Sequence, residues 1–383
     1  MLNVITRGQA LSRSLGRGLT TYTYKRKIRR VLDQLAAAGT SGDNTWPGEL
    51  TAPALSLLGG VAPGYRDLRW HKAYTAINRW PAAGYIPEDI FYCAIEPGLN
   101  PPDRANLYRD KNLYDRMGFP NLPATVARVI RGRLLDAAYR PVTVDALALD
   151  PAREYVIKPS AETGGGKGVR FLQGAGVAAA LTTPATPATL AHERHATPGP
   201  RAADSRAADL IVQPVLGQAE ELSRLNASSI NTYRIVTLRL NGRIIHLSSV
   251  LRIGRSSARV DNQASGGMAC GVNDGRLRGF AVDKAFRRLA AHPDSGVRFK
   301  GLALPAYRQA EALCHASHLL LPDIDMVSWD IAVTAEHVPV LIEFNLRGQE
   351  INFHQLCNGP LFGQCTGDVL DRARGRCRLG LLW

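Results

Sequence analysis

Apolar and polar residues change their period along this chain, and the changes mark its elements. Over residues 25–38 the apolar positions Ile28, Val31, Leu32 and Leu35 return at helical spacing, with Lys25, Arg26, Lys27, Arg29 and Arg30 set around them. The rest of residues 1–104 reads as helices and loops, with Trp46, Trp70 and Trp80 near proline and glycine punctuation and no recognisable chemistry. A helix beginning at Asn106 carries Leu107, Leu113, Tyr114 and Met117 and ends at Gly118, ahead of Pro120. Near Arg153 the pattern turns to strands, first at 154–158 (EYVIK), 169–172 (VRFL) and 210–215 (LIVQPV). Two more, 233–240 (YRIVTLRL) and 243–251 (RIIHLSSVL), flank Asn241-Gly242, a dipeptide that favours a two-residue hairpin turn because both residues tolerate positive φ. A helix over 305–321 and a hairpin over 328–345 complete the series. Helices placed between antiparallel hairpins predict an α+β fold.

Two stretches carry neither period. Residues 174–209 are rich in Ala, Thr and Pro and read as a helical or poorly ordered insertion. Residues 252–272 (RIGRSSARVDNQASGGMACGV) are polar and glycine-containing, and their length without a clear strand predicts a functional loop. At 383 residues the chain exceeds what one hydrophobic core supports, so two or three subdomains are expected.

Composition narrows the class. Apolar residues at 45% and charged residues at 21% are an ordinary globular balance, and no apolar run approaches the roughly 18 residues that span a bilayer. The basic N-terminus lacks a continuous apolar stretch and a small-residue cleavage site; only its Arg and Ser content suits a transit peptide, so cytoplasmic residence is expected. Cys93, Cys270, Cys314, Cys357, Cys365 and Cys377 include no C-x-x-C pair, which favours free, mostly buried thiols over zinc or disulfides. A net charge of +14 would suit nucleic acid, an anionic membrane surface or a polyanionic substrate, yet much of it is scattered arginine. The one dense cluster, at 25–30, reads first as a solvated helix face and second as a dock for a membrane surface or polyanion. Its cations have no aromatics interleaved among them, which argues against a nucleic-acid partner. Oligomeric state is left open.

Three segments carry chemistry. In YVIKPSAETGGGKGV a strand ends at Lys158, and a loop with Gly164, Gly165, Gly166 and Gly168 leads into another strand. Glycines let backbone N–H groups approach phosphate oxygens, and a lysine adds fixed charge. The motif is not a Walker A loop, because Lys167 is followed by glycine and a strand rather than by Ser or Thr and a helix. A glycine flap over a nucleotide and an ordinary hairpin loop both fit it. In SWDIAVTAEHVPVLIEFN, a turn centred on Glu336-His337 pairs Thr334 with Pro339, Ala332 with Leu341, and Asp330 with Glu343. Side chains alternate along a strand, so Asp330, Glu343 and Asn345 share one face. Like charges directly opposed are destabilising unless a cation lies between them, and two carboxylates with an amide oxygen suit Mg²⁺. The competing reading is a pair of solvent-facing acids. In SSINTYR, Arg234 reads equally as a phosphate or carboxylate ligand and as a surface strand residue.

Together RDKNLYDRMGFPNLP, YVIKPSAETGGGKGV, LIVQPV, SSINTYRIVTLRLNG, RVDNQASGG and WDIAVTAEHVPVLIEFN, followed by NGPLFG, resemble the ATP-grasp superfamily. The likeness is to its sugar-transfer-associated branch, which is similar to glutamate-ligase-like enzymes. It spans roughly residues 99–363, with six phrases in the family's order. The resemblance implies two α+β subdomains clasping ATP: residues 1–104 as a helical and loop region, 105–215 as the lid subdomain with the insertion, and 216–383 as the catalytic subdomain. It implies that Lys111 touches the α-phosphate, that Lys158 reaches the α- and β-phosphates, and that Gly164 to Gly168 cover the β- and γ-phosphates. The backbone at Gln213 and Val215 would read the adenine edge, and Glu220 or Glu221 would hold the ribose. Asp330, Glu343 and Asn345 match Mg²⁺ ligands, and Arg234 would face the γ-phosphate or the developing acyl phosphate.

The implied activity is ATP-dependent joining of a carboxylate to an amine through an acyl phosphate, on a small molecule or saccharide. A kinase on the same scaffold would stop at phosphoryl transfer. A non-catalytic polyanion-binding scaffold is the third reading, disfavoured because Lys111, Lys158, Asp330, Glu343 and Asn345 are all present.

Overall fold

The computed structural model describes residues 22–23, 25–34, 46–161, 168–182, 209–261 and 266–378. Two antiparallel sheets organise it. The smaller contains β1 (Ala127–Ile130), β2 (Arg133–Asp136), β3 (Glu154–Pro159), β4 (Arg170–Gln173) and β5 (Leu210–Pro214), in the order β2-β1-β5-β3-β4. The larger contains β6 (Thr232–Leu240), β7 (Arg243–Ile253), β8 (Met268–Asn273), β9 (Arg276–Asp283), β10 (Arg288–Leu289), β11 (Met326–Val333) and β12 (Pro339–Asn345), in the order β10-β9-β8-β7-β6-β11-β12. Helices are α1 (25–34), α2 (Thr51–Gly59), α3 (Arg69–Asn78), α4 (Pro102–Leu107), α5 (Gly174–Thr182), α6 (Tyr307–Leu319), α7 (Ile351–Asn358) and α8 (Thr366–Arg378). A further helical run over 88–99 includes a π-turn at Phe91–Ile95. The class is α+β, with helices at the N-terminus. Among the described residues no helix is long and apolar enough to cross a membrane.

The larger sheet is buried on both faces. One face packs Tyr233, Ile235, Leu251, Cys270 and Trp329 against Ala310, Leu313 and Cys314 of α6. On the other face Val236, Leu238 and Met326 meet Phe91, Ile95, Val369 and Leu370, while Val250, Ala269 and Val282 meet Trp70, Tyr74, Phe353 and Leu356. Ile28 and Val31 of α1 join this last cluster, so the apolar stripe of the basic helix is buried as its spacing requires. The smaller sheet has its own core around Ala127, Tyr155, Ile157 and Val212.

The Asn241-Gly242 turn forms with φ of 51° and 75°, and Leu240 faces Arg243 across it. Three other expectations need correction. The stretch 252–272 is not loop throughout: Met268–Asn273 is a strand, joined to β9 through Asp274-Gly275, whose φ values of 49° and 71° are those of the same turn. Its neighbours bury both faces of β8, which leaves no polar alternation to read. No continuous helix runs from Asn106 to Met117; α4 ends at Leu107, and Lys111–Leu113 is a separate 3₁₀ turn. The Asp110 carboxylate accepts the Asn112 N–H at 2.9 Å and starts that turn, while Lys111 N–H donates to Ser160 O at 2.8 Å. The register of the last hairpin is mixed. Val333 faces Pro339 and Ile331 faces Leu341, one residue from the expected pairing. A bulge then restores Asp330 opposite Glu343.

Candidate active site

Residues of both sheets line one cleft of about 1160 Å³. Alternation along β3 turns Glu154, Val156 and Lys158 into it, while Tyr155 and Ile157 are buried in the core of the small sheet. On the opposite wall the bulge changes the alternation of β12. Ile342 has no partner in the ladder, so Ile342, Glu343 and Asn345 all line the cleft and Leu341 and Phe344 fill the core. Lys158 and the Asp330/Glu343/Asn345 group therefore share one cavity, the arrangement on which the sequence reading depends.

Asp330 is the most heavily contacted acid there. Arg234 donates from Nε to Oδ1 at 2.8 Å and from Nη2 to Oδ2 at 2.7 Å, and Arg252 donates from Nη1 to Oδ2 at 3.0 Å. Burial opposes ionisation of Asp330, but the charges and hydrogen bonds of Arg234 and Arg252 outweigh it and hold the carboxyl down at about 2. Burial likewise works against the charge of Arg234, and Asp330 foremost, with Glu350, reverses this and holds its pKa above the usual arginine range. Arg252 also reaches Asp261 Oδ1 at 3.3 Å, and Asp261 accepts from Thr232 Oγ1 at 2.5 Å. Burial pushes the Asp261 carboxyl up, against the pull of Arg252.

Across from this network, Lys111 Nζ lies 3.1 Å from Glu343 Oε2, with the lysine side chain 7% exposed. Lys158 lies near both, and burial with the like charge of Lys111 lowers its ammonium to about 8, opposed by Glu343. Gly168, at φ +79°, needs to be glycine, since a Cβ there would stand 3.0 Å from Pro159 Cγ. Gly164, Gly165 and Gly166 lie outside the described residues.

Not every expected residue sits where the sequence suggested. Gln213 and Val215 line the cleft, but Val215 N–H is already bonded to Glu154 O at 3.0 Å. Glu220 and Glu221 are not among the residues lining the cleft; they open a short helix after β5, and Glu221 faces His337 at 3.2 Å. Arg234 lines the cleft, but it is locked on acids: Nε, Nη1 and Nη2 each already serve a carboxylate. Of these, Nη1 donates to Glu350 Oε2 at 2.5 Å. Neither Glu350 nor Arg252 was assigned a role by spacing. Glu350 adopts φ 54° just before α7, and only the folded chain brings it to Arg234. A further contact across the cleft joins the loop after β7 to the small sheet: Arg259 Nη2 is 2.6 Å from Glu154 Oε2, with its guanidinium 4.4 Å from the Phe171 ring centre.

Among the described residues no three His, Cys, Asp or Glu side chains gather as a metal site. What gathers is the carboxylate pair with an amide, Asn345 Nδ2 lying 3.5 Å from Asp330 Oδ2. Oδ2 of Asp330 accepts from Arg234, Arg252 and Asn345, whereas Oδ1, among the described residues, accepts only from Arg234 Nε, so an acceptor position on Oδ1 remains open to a cation. Cys270, Cys314 and Cys357 are buried free thiols, Cys365 is a half-buried free thiol, and Cys93 is half-buried.

Residues 94–366 match the family described as sugar-transfer associated ATP-grasp. No curated protein matches the sequence. Among solved structures, the D-cycloserine synthetase DcsG is 15% identical, with 71% of this chain and 73% of that one covered and a TM-score of 0.41. The biotin carboxylase domain of the 2-oxoglutarate carboxylase of Hydrogenobacter thermophilus is 14% identical, covering 70% of this chain and 46% of that one, TM-score 0.40. An L-amino acid ligase from Bacillus licheniformis is 12% identical, covering 71% and 51%, TM-score 0.37. The chain thus spans about half the length of the last two.

Proposed function

The chain belongs to the sugar-transfer-associated ATP-grasp family, and on that premise we propose that it is an ATP-dependent ligase joining a carboxylate to an amine. The observation that carries the reading is Asp330 opposite Glu343, in one cleft with Lys111 and Lys158. The adenine would lie against the small sheet near Gln213, with the triphosphate running between the two lysines and β12. Lys158 and Lys111 would hold phosphate oxygens, with Lys111 passing from Glu343 to the nucleotide. Asp330, Glu343 and Asn345 are hard oxygen donors that would hold Mg²⁺, which when bound supplies positive charge against the phosphates.

The substrate carboxylate would attack the γ-phosphorus and release ADP, and the amine would then displace phosphate from the acyl phosphate. Arg234 keeps two of its five N–H donors beyond those used on Asp330 and Glu350, and these would meet charge growing on the transferred group. The two sheets meeting around the cleft would exclude water, which would otherwise hydrolyse the intermediate.

The test is ADP release with MgATP across a panel of amino acids and sugar acids with candidate amines, followed by mass spectrometry of the products. An amide formed only when both substrates are present is the expected result. A stable phosphorylated product with no amine requirement would replace the ligase by a kinase. Failure of the wild-type chain to bind MgATP at all would remove the reading altogether.

A further inference from the structure

Helix α1 has work that the cleft does not explain. Its apolar side is consumed: Ile28 and Val31 are 1% and 2% exposed in the core cluster with Trp70 and Tyr74. Lys27 is consumed as well, its Nζ lying 2.7 Å from Oε1 of the buried Glu88. Glu88 in turn lies near Asn352, in the first turn of α7, the helix that Glu350 precedes at the cleft rim. The helix is therefore pinned at fixed orientation to the body of the protein.

What this mounting presents to solvent is Lys25, Arg26, Arg29 and Arg30, all exposed, and among the described residues none of the four is in an ion pair. They form two like-charge pairs at i,i+4, Lys25 with Arg29 and Arg26 with Arg30, and like charges at that spacing destabilise a helix. Asp33 on the helix itself and Asp67, which feels the charge of Lys25, offset them in part. A face selected for solubility alone would alternate its signs. The end of α3, which closes the same core cluster, adds Arg79, and the edge strand β10 adds Arg288, near enough that burial and then the like charge of Arg79 lower the Arg288 guanidinium; neither is in an ion pair among the described residues. Each arm of this surface also exposes an aromatic ring beside its cations, Tyr22 at 65% and Trp80 at 49%.

We propose that the exposed face of α1, with the Arg79–Trp80 corner, is a docking surface for an anionic lipid bilayer. The chemistry favours a bilayer over a nucleic acid. A lipid surface presents laterally mobile phosphates that need no register with the cations, and it accepts Tyr and Trp rings at the headgroup level. Base stacking instead needs aromatics interleaved within a basic groove, whereas these rings lie at the margins. The attachment is peripheral and rests on charge, so it is screened by salt.

Co-sedimentation of the full chain with vesicles of phosphatidylcholine alone, and of phosphatidylcholine with phosphatidylglycerol, tests this. Binding is expected only to the second, with reversal at high salt. Each neutralised cation should weaken partitioning roughly fivefold, so Arg26→Gln/Arg30→Gln should cost about twenty-five-fold and the Lys25→Glu/Arg26→Glu/Arg29→Glu/Arg30→Glu variant should not sediment. Thermal unfolding and MgATP binding unchanged from wild type would show that both variants are folded. The proposal is overturned if the wild-type chain ignores anionic vesicles. It is also overturned if either folded variant binds them as wild type does, or if single-stranded RNA displaces the chain from vesicles and binds it more tightly.

Discussion

Asp330→Asn is the substitution whose cost can be worked from the geometry. It removes the charge that holds Arg234 and Arg252 and alters nothing else of comparable size. The carboxyl stands at about 2 in the folded chain against an ordinary value of 3.8. Each pKa unit is worth about 1.4 kcal/mol, so the folded state gains roughly 2–3 kcal/mol at neutral pH from keeping Asp330 ionised. The sign follows from the depressed pKa: the gain is complete above the unfolded value near 4 and is lost as pH falls through the folded value near 2. Breaking a buried pair typically costs about 3–5 kcal/mol, which sets the upper bound, since two guanidiniums with side chains only 7% and 11% exposed would lose their acid. Urea unfolding followed by Trp fluorescence is the assay, because Trp329 adjoins Asp330 in β11 and is fully buried. The variant should lose roughly 2–4 kcal/mol at pH 7 with little change in denaturant slope. The gap should narrow as pH falls from about 4 towards 2. A variant within about 0.5 kcal/mol of wild type at pH 7 would refute the claim that this network is held by charge.

Two further outcomes are specific. With Lys158 at about 8, its ammonium is present below that pH and lost above it, so ATP affinity should fall as pH rises through 8. Lys158→Gln should bind ATP weakly with a flat profile across that range; a wild-type profile flat there in titration calorimetry would count against a phosphate contact by Lys158. Gly271→Ala would set a Cβ 2.3 Å from Asn358 Oδ1 and 3.0 Å from Cys357 O. It should destabilise by about 1–3 kcal/mol, as overpacked cores do, and an unchanged melting temperature would show that α7 yields there freely.

Much of the fold is legible in the chain. Two-residue alternation finds β3, β6 and β7, Asn241-Gly242 names its own turn, and helical spacing places the buried face of α1, because each of these is decided by neighbours in sequence. Asp274-Gly275 carried the same turn signal, and it was obscured only because β8 is buried on both faces and shows no alternation.

The site divides in the same way. Lys158, Asp330, Glu343 and Asn345 could be singled out from strand ends and opposed charges, and the folded chain puts them in one cleft. The partners of those groups could not. Arg234 meets Asp330 because β6 lies beside β11, across 96 residues of chain, and Glu350 joins them only through the turn into α7. Even the correct facing of Asp330 and Glu343 depends on a bulge at Ile342 that no period announces. Local sequence sets which way a side chain leaves its own strand, since that needs only a backbone period. Which charge stands across from it is set by strand order and register, whose energies come from packing between segments remote in sequence.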